Sequence, residues 1–199
     1  MAPDVLALFG SPRRGGNTDA LLEALLEPAF LRGLAVERVR VPELSVAPCR
    51  GCRFCEASGE CAQRDAMAEA IPKLLSARWV ALSSPVFFYG IPGQTKSFID
   101  RCQPLWARKH RLPGGKGPAP ISPPGRKGFL VAAGGSSGKN LFTGLELTAR
   151  YFFDAIDVRF EGSYAVRGLE APGDAGKAPG ALEGARAAGE KLFAPEDGI

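Results

Sequence analysis

The sequence predicts an α/β fold, a doubly wound parallel sheet of five strands with helices on both faces. Short strand-like segments alternate five times with segments of helical periodicity, an order typical of parallel strands joined by helical crossovers. Most of these strand-like segments are continuous apolar runs, which suit strands buried on both faces. The 199 residues carry no internal repeat and no linker-like stretch, so we expect one domain over 1–199 with a cysteine-rich loop at 48–62.

Each strand is predicted from its own pattern. The first is a run of five apolar residues, and the second alternates apolar with charged residues. Alternation indicates one wetter face, so we expect the second strand at an edge of the sheet. The third and fourth are apolar runs that we expect to be buried. The fifth strand is expected after the helical pattern that follows the fourth strand. The predicted strands are 5–9, 36–41, 79–84, 128–133 and 158–166.

The helices are predicted from apolar residues at helical spacing. Pro28 and Pro72 lie inside two of these patterns, and we expect a kink or a break there because proline removes a backbone donor and clashes with the preceding turn. Gly33 is a helix stop, and the Pro- and Gly-rich passages 113–126 and 168–180 are expected to be loops. The predicted helices are 18–31, 65–76, 141–156 and 181–193, with a further helix closing the segment 85–101.

The loop that joins the first strand to the first helix has the composition of an anion site. The first N–H groups of a helix lack internal partners and carry partial positive charge. Glycines allow close backbone approach, and Arg13 or Arg14 can add a charge-assisted pair to a phosphate. The candidate phosphate-binding residues are Ser11, Arg13, Gly15, Gly16, Asn17 and Thr18.

The kind of phosphate follows from what this loop lacks. It has neither the Gly-Lys-Ser/Thr ending of a nucleotide P-loop nor a G-x-G-x-x-G pattern. A single terminal phosphomonoester therefore fits better than a nucleoside triphosphate or a dinucleotide. The alternative is a capped turn that binds nothing.

Two further loops are expected at the same edge of the sheet, because ligands of doubly wound sheets bind beyond the carboxyl ends of the strands. The loop after the third strand combines aromatic residues with glycine, which supplies apolar surface and fixed backbone hydrogen bonds for a flavin ring. Phe87 fits a core or a subunit interface equally well. The candidates are Pro85, Val86, Phe87, Phe88, Tyr89 and Gly90, with Gly134 and Gly135 after the fourth strand.

Four of the five cysteines lie within thirteen residues, at Cys49, Cys52, Cys55 and Cys61. An odd cysteine count argues against a disulfide framework. Four thiolates hold either a [4Fe–4S] cluster or Zn²⁺, and three cysteines at successive two-residue gaps favour iron–sulfur ligation. Zinc and unliganded thiols are the alternatives. Cys102 lies outside the motif and is expected to be buried.

The motifs resemble those of the flavodoxin-like NAD(P)H-dependent FMN reductase family. The pattern Gly-Ser-x-Arg-x-x-Gly-Asn-Thr at 10–18 is similar to its FMN-phosphate loop, and residues 84–90 followed by 96–101 are similar to its second signature. Gly16 stands where many members have serine. The resemblance implies strand order 2-1-3-4-5, with Ser11, Arg13, Asn17 and Thr18 on the phosphate and Pro85, Val86, Phe87, Tyr89 and Gly90 on the ring.

The cysteine spacing resembles that of the iron–sulfur flavoproteins, a branch of the same fold. This resemblance implies an FMN-dependent oxidoreductase in which a [4Fe–4S] cluster relays electrons to FMN from a ferredoxin-like donor. It also implies a homodimer or homotetramer. Two other hypotheses stay open: an NAD(P)H-dependent FMN or quinone reductase with a structural cysteine loop, and an FMN electron carrier without substrate turnover.

Charge and hydropathy exclude other classes. The net charge is +4 without a long basic run, which gives no indication of nucleic-acid binding. No apolar run reaches the length of a membrane span. The first strand begins at residue 5, which leaves no room for a signal peptide, and we expect a cytoplasmic protein.

Overall fold

The structure, a computed structural model, describes residues 2–111 and 125–195. Within them five strands form one sheet of order β2-β1-β3-β4-β5, and every neighbouring pair is parallel. This confirms the predicted fold class and the edge position of β2. The strands are β1 Val5–Phe9, β2 Val36–Arg40, β3 Trp79–Pro85, β4 Lys127–Gly134 and β5 Arg159–Arg167.

The helices follow the predicted order along the chain. They are α1 Asn17–Leu31, α2 Phe54–Ser58, α3 Met67–Ser76, α4 Gly93–Asp100, α5 Gln103–His110, α6 Thr143–Ala155, α7 Asp174–Lys177 and α8 Ala181–Leu192, with a single 3₁₀ turn at Val41–Glu43. The predicted loop at 113–126 lies outside the described residues up to residue 124.

The expected breaks at Pro28 and Pro72 do not occur, since α1 and α3 each continue past the proline. Four leucines of α1, Leu21, Leu22, Leu25 and Leu26, are completely buried, and this packing outweighs the loss of one backbone hydrogen bond. Gly33 ends α1 as predicted, with φ +71° and its N–H donating to Phe30 O at 2.9 Å.

Three short helices were not expected. α2 lies inside the cysteine loop, α5 follows α4 after a short turn, and α7 is a single turn inside the predicted loop 168–180. α2 buries no residue and α7 buries only Ala175. A helix without an apolar stripe gives no periodic signal, which explains why the pattern did not show α2 and α7. α5 does bury Leu105 and Ala107, but it is only eight residues long.

Two apolar cores cover the sheet, one on each face. One contains Leu6, Leu82 and Leu130 with α3 and α6, and the other contains Val5 and Val131 with α1 and α8. Because both faces are covered, the carboxyl edge of the sheet holds its loops on a rigid base. None of the helices in the described residues is long and apolar enough to cross a membrane.

Candidate active site

A cleft of about 590 Å³ opens at the carboxyl edge of the sheet, where the loops after β1, β3 and β4 meet. These loops bring most of the predicted cofactor residues together on its walls. Those that line the cleft are Ser11, Arg13, Gly16, Asn17, Thr18, Pro85, Val86, Phe87, Gly134 and Gly135. The remaining four, Gly15, Phe88, Tyr89 and Gly90, are not among its lining residues.

The backbone of the first loop presents unpaired donors to this cleft. Gly16 precedes the first residue of α1 with an extended backbone. In the part of the chain that the structure describes, the N–H groups of Gly16, Asn17 and Thr18 have no protein acceptor. Consecutive free N–H groups at a helix N-terminus form an anion site.

The loop is held in this shape from behind by Asp19 and Arg40. Asp19 Oδ2 accepts hydrogen bonds from Gly15 N at 2.9 Å and Arg40 Nη1 at 2.8 Å. Arg40 Nη2 also donates to the carbonyl oxygens of Ser11 and Arg13, both at 3.3 Å. The carbonyl oxygens of Ser11 and Arg13 therefore face the Arg40 guanidinium, and the free backbone N–H groups at the start of α1 are left available to an anion.

The polar side chains of this loop have different partners. Ser11 Oγ is used within the loop, where it accepts from Arg13 N at 3.1 Å. Arg14 pairs with Glu43 at 2.7 Å. The Arg13 guanidinium makes no hydrogen bond or ion pair with any described residue. Of the two arginines, Arg13 is therefore the one available to a phosphate.

The side chain of Asn17 is already engaged in hydrogen bonds within the protein. Its amide Nδ2 donates to Ala171 O and its Oδ1 accepts from Ala175 N, both at 3.0 Å. The side chain thereby ties the start of α1 to the segment after β5. The backbone N–H of Asn17 has no acceptor among the described residues and stays available to an anion, while its side-chain amide holds a neighbouring wall.

The loop after β3 folds into a tight turn. Phe87 and Gly90 exchange two backbone hydrogen bonds of 2.9 Å, and the residues between them, Phe88 and Tyr89, have φ of +48° and +59°. Non-glycine residues in this region are strained, and such strain is common at ligand sites. Phe87 is half exposed on the cleft, whereas Phe88 is fully exposed away from it.

A fourth wall comes from the segment after β5, which the sequence did not indicate. Leu169 N donates to Gly134 O at 3.2 Å, and both Leu169 and Glu170 line the cleft. Asp174 Oδ2 fixes the segment by accepting from the N–H groups of Glu170 and Ala171. The Asp at the start of a one-turn helix is the only local signal for this arrangement.

A second cavity, of about 330 Å³, lies inside the cysteine loop. All four predicted ligands line it, together with Arg101 from the end of α4 and residues of α5. The backbone turns sharply at Gly51, Arg53 and Gly59, whose φ values are +63°, +60° and +69°. The loop therefore wraps its four thiols around one space.

The thiols share this space but remain apart. In residues 2–111 and 125–195, no three Cys, His, Asp or Glu side chains are gathered closely enough to hold a metal ion. Burial raises the pKa of the Cys55 thiol, and the neighbouring Cys49, Cys61 and Cys52 thiols raise it further. All five cysteines are free, and Cys102 is buried as predicted.

Arg101 and Asp65 form a buried ion pair beside this cavity, 2.5 Å between Nη1 and Oδ2. Burial raises the pKa of Asp65, but hydrogen bonds from Arg101 and from two backbone N–H groups outweigh it, and the net shift is downward. Burial lowers the pKa of Arg101, while Asp65 and the nearby Cys61 thiol raise it, and the net shift is upward.

A family model described as NADPH-dependent FMN reductase matches residues 3–151. An iron–sulfur flavoprotein of Archaeoglobus fulgidus is 38% identical over 103 residues, which are 52% of this chain and 47% of that protein. An iron–sulfur flavoprotein of Methanocaldococcus jannaschii is 35% identical over 101 residues, 51% of this chain and 52% of that protein. The matched part spans about half the length of these curated relatives.

The fold has solved counterparts. An NAD(P)H:quinone oxidoreductase from Methanothermobacter marburgensis superposes with a TM-score of 0.65 at 20% identity, and the match covers 100% of both chains. This likeness supports the architecture alone.

Proposed function

The chain belongs to the NADPH-dependent FMN reductase family, and from this premise we propose that it binds FMN in the cleft and works as a flavin-dependent oxidoreductase. We take residues 1–199 as one FMN-binding domain. The observation that carries the proposal is the row of free N–H groups at Gly16, Asn17 and Thr18 beside the unpaired Arg13. This is a ready site for a terminal phosphate.

FMN fits the residues that line the cleft. The phosphate would take the free amides of the first loop, and the ring would lie between the turn at Phe87 and the glycines Gly134 and Gly135. A Cβ at Gly135 would lie 3.1 Å from the Cβ of Glu170, so a side chain at this position would crowd Glu170. Bound FMN would supply reversible two-electron chemistry to this cleft, with NAD(P)H as a hydride donor and solvent as the proton source.

The cysteine cavity supports a second redox group. We propose that Cys49, Cys52, Cys55 and Cys61 bind a [4Fe–4S] cluster that exchanges electrons with FMN. Support comes from four free thiols on one cavity and from the names of the two archaeal relatives. The thiols must draw together to bind it, so loading requires the loop to contract. Free thiols also favour a reducing compartment such as the cytoplasm.

The competing function is an NAD(P)H-dependent FMN or quinone reductase in which the cysteine loop is structural. The family description favours it directly. Stopped-flow reduction of the bound flavin separates the two. Fast bleaching by NADH or NADPH supports the reductase, whereas reduction by a ferredoxin-type donor alone supports the cluster route. Redox cycling without turnover of any acceptor supports an electron carrier.

A second copy of the chain is the partner that the surface favours. Phe87 is exposed on the cleft, Phe88 and Tyr89 are exposed next to it in the chain, and α6 exposes Leu147 and Tyr151 one turn apart on one face. The carbonyl of Tyr89 lies against Gly144 at the start of α6, so these apolar residues adjoin. We propose a homodimer or homotetramer through this surface, to be checked by light scattering of wild type and Phe88→Asp.

The test of FMN binding compares FMN with riboflavin, which has the same ring and ribityl chain but no phosphate. Each flavin is titrated into flavin-free protein and followed by fluorescence quenching. We expect FMN to bind about a hundredfold more tightly, because the phosphate engages several charge-assisted hydrogen bonds. Equal affinities would show that the first loop is only a capped turn.

A further inference from the structure

A single buried ion pair closes the neck of the cysteine loop. The Arg101 side chain is 1% exposed. Its Nη1 donates to Ala47 O at 2.8 Å and its Nη2 to Gln63 O at 3.5 Å. These two carbonyls lie directly before and directly after the loop 48–62, so one guanidinium joins both ends of it.

Asp65 completes the closure. It accepts from Arg101 Nη1 at 2.5 Å and from Nη2 at 3.0 Å. It also accepts from Ala47 N at 3.1 Å and Met67 N at 3.1 Å. The carboxylate therefore anchors both the residue before the loop and the first turn of α3, and it holds the guanidinium in one orientation.

One donor of Arg101 remains unused. Its Nε is buried and has no hydrogen-bond partner among the described residues. Arg101 lines the same cavity as the four loop cysteines, and the Cys61 sulfur already accepts a hydrogen bond from Gln63 N at 3.4 Å. A buried N–H without an acceptor is costly, and the unsatisfied donor beside this cavity points to an anionic acceptor there.

We propose that Arg101 is the positioning residue for the group held by the four cysteines. Its two Nη groups close the neck of the loop, and its Nε–H donates to the Cys61 thiolate when the group is bound. The inference rests on the proposed function for its second half only. Hydrogen bonds to the sulfurs of a cluster stabilise its reduced form and raise its potential.

The closure is tested without any metal. The loop contains two exposed trypsin sites, Arg50 and Arg53, and cleavage there reports local opening. We expect Arg101→Lys in the full FMN-loaded chain to raise this cleavage rate by about tenfold, because a lysine cannot span two carbonyls and a carboxylate. Arg108→Lys is the matched control, since Arg108 Nε touches the loop only at Gly59 O.

The donor is tested by the reduction potential of the iron-loaded protein, measured by EPR-monitored titration. We expect Arg101→Lys to disfavour the reduced cluster by about tenfold, about 59 mV for one electron, and Arg108→Lys to change the ratio by less than about twofold. Loss of iron from Arg101→Lys with FMN retained also supports the proposal. If Arg101→Lys does not fold, Asp65→Asn gives the same comparison because it removes the anchor.

The outcomes that overturn the inference are distinct from those that overturn the function. Cleavage rates equal in wild type, Arg101→Lys and Arg108→Lys would remove the closure. An unchanged potential in an iron-loaded Arg101→Lys protein would remove the donor role. A wild-type protein that binds FMN but never iron would overturn the donor role and the cluster together, and would leave FMN binding and the closure intact.

Discussion

The cleft at the carboxyl edge of the sheet and the cavity in the cysteine loop are built in opposite ways. The cleft rests on the ends of three buried strands, and its anion site consists of backbone N–H groups whose shape is fixed by Asp19 and Arg40. The cysteine loop follows the edge strand β2, its helix α2 buries nothing, and its ends meet at one ion pair.

The difference separates a preorganised site from one that a ligand would have to complete. Backbone donors on a rigid sheet lose little conformational entropy when FMN binds, so ordering of the protein offsets little of the binding free energy. The four thiols lie around a cavity without being gathered at ligand distance. The cost of ordering the loop would therefore offset part of the free energy of binding a metal group there.

The largest effect is expected for Cys52→Ser, which tests whether the two sites are independent. We expect complete loss of bound iron with the FMN dissociation constant unchanged within about twofold, because the two sites share no residue. Iron analysis and flavin titration measure both. Cys102→Ser is the control that should keep iron, since Cys102 is buried with its thiol on Phe98 O. A parallel fall in FMN affinity would mean that the sites are coupled.

The thiols themselves separate by reactivity. Burial raises the pKa of Cys102 to about 12, which lowers its thiolate fraction about a thousandfold at neutral pH relative to an ordinary cysteine. We expect iodoacetamide to label the four loop cysteines of native, metal-free protein and to label Cys102 only after unfolding. Mass spectrometry of tryptic peptides gives the count. Native labelling of Cys102 at a comparable rate would contradict the burial of this residue.

Substitutions of the two adjacent arginines of the first loop test which of them contacts the FMN phosphate. Arg13→Gln is expected to weaken FMN binding by about ten- to a hundredfold, the value of one charge-assisted hydrogen bond. Arg14→Gln should have an effect of less than about threefold, because Arg14 is held by Glu43 at an exposed site. Riboflavin affinity should not change in either variant. The reverse order of effects would exchange the roles of the two side chains.

The smallest effect concerns pH and the neck of the cysteine loop. The folded-state pKa of Asp65 is depressed, so its stabilisation is complete above the unfolded value near about 3.9 and is lost as pH falls through the folded pKa. Hydrogen exchange of the loop, corrected for intrinsic rates, should stay constant from pH 7 to about 5 and rise only below about pH 4. Asp65→Asn should remove this dependence. Opening between pH 7 and 5 would assign it to another group.

The sheet and the three loops at its carboxyl edge were predictable from the residues, because apolar runs and glycines carry those signals locally. The resemblance supplied the strand order. The residues predicted for the phosphate loop line the cleft except for Gly15, and the hydrogen bonds of the Asn17 amide to Ala171 and Ala175 were not predicted. Contacts across 154 residues or more of chain leave no trace in a local pattern.

The same reason explains the other omissions. The wall at Leu169 and Glu170 depends on where the chain returns after β5, and the closure of the cysteine loop depends on Arg101, directly after α4. The four cysteines singled out by their spacing line one cavity, but their arrangement was not predictable, because spacing fixes neither loop closure nor the separation of the thiols. That the cysteines bind an iron–sulfur cluster, rather than zinc or nothing, stays a prediction.

The most direct test is an anaerobic visible spectrum of freshly purified protein, combined with flavin, iron and sulfide analysis. We expect one FMN per chain together with about four irons and about four sulfides, with flavin bands above a broad shoulder. Flavin without iron would leave the cleft as described and make the cysteine loop structural. A protein that binds no FMN, even when it is added in excess, would contradict the central claim.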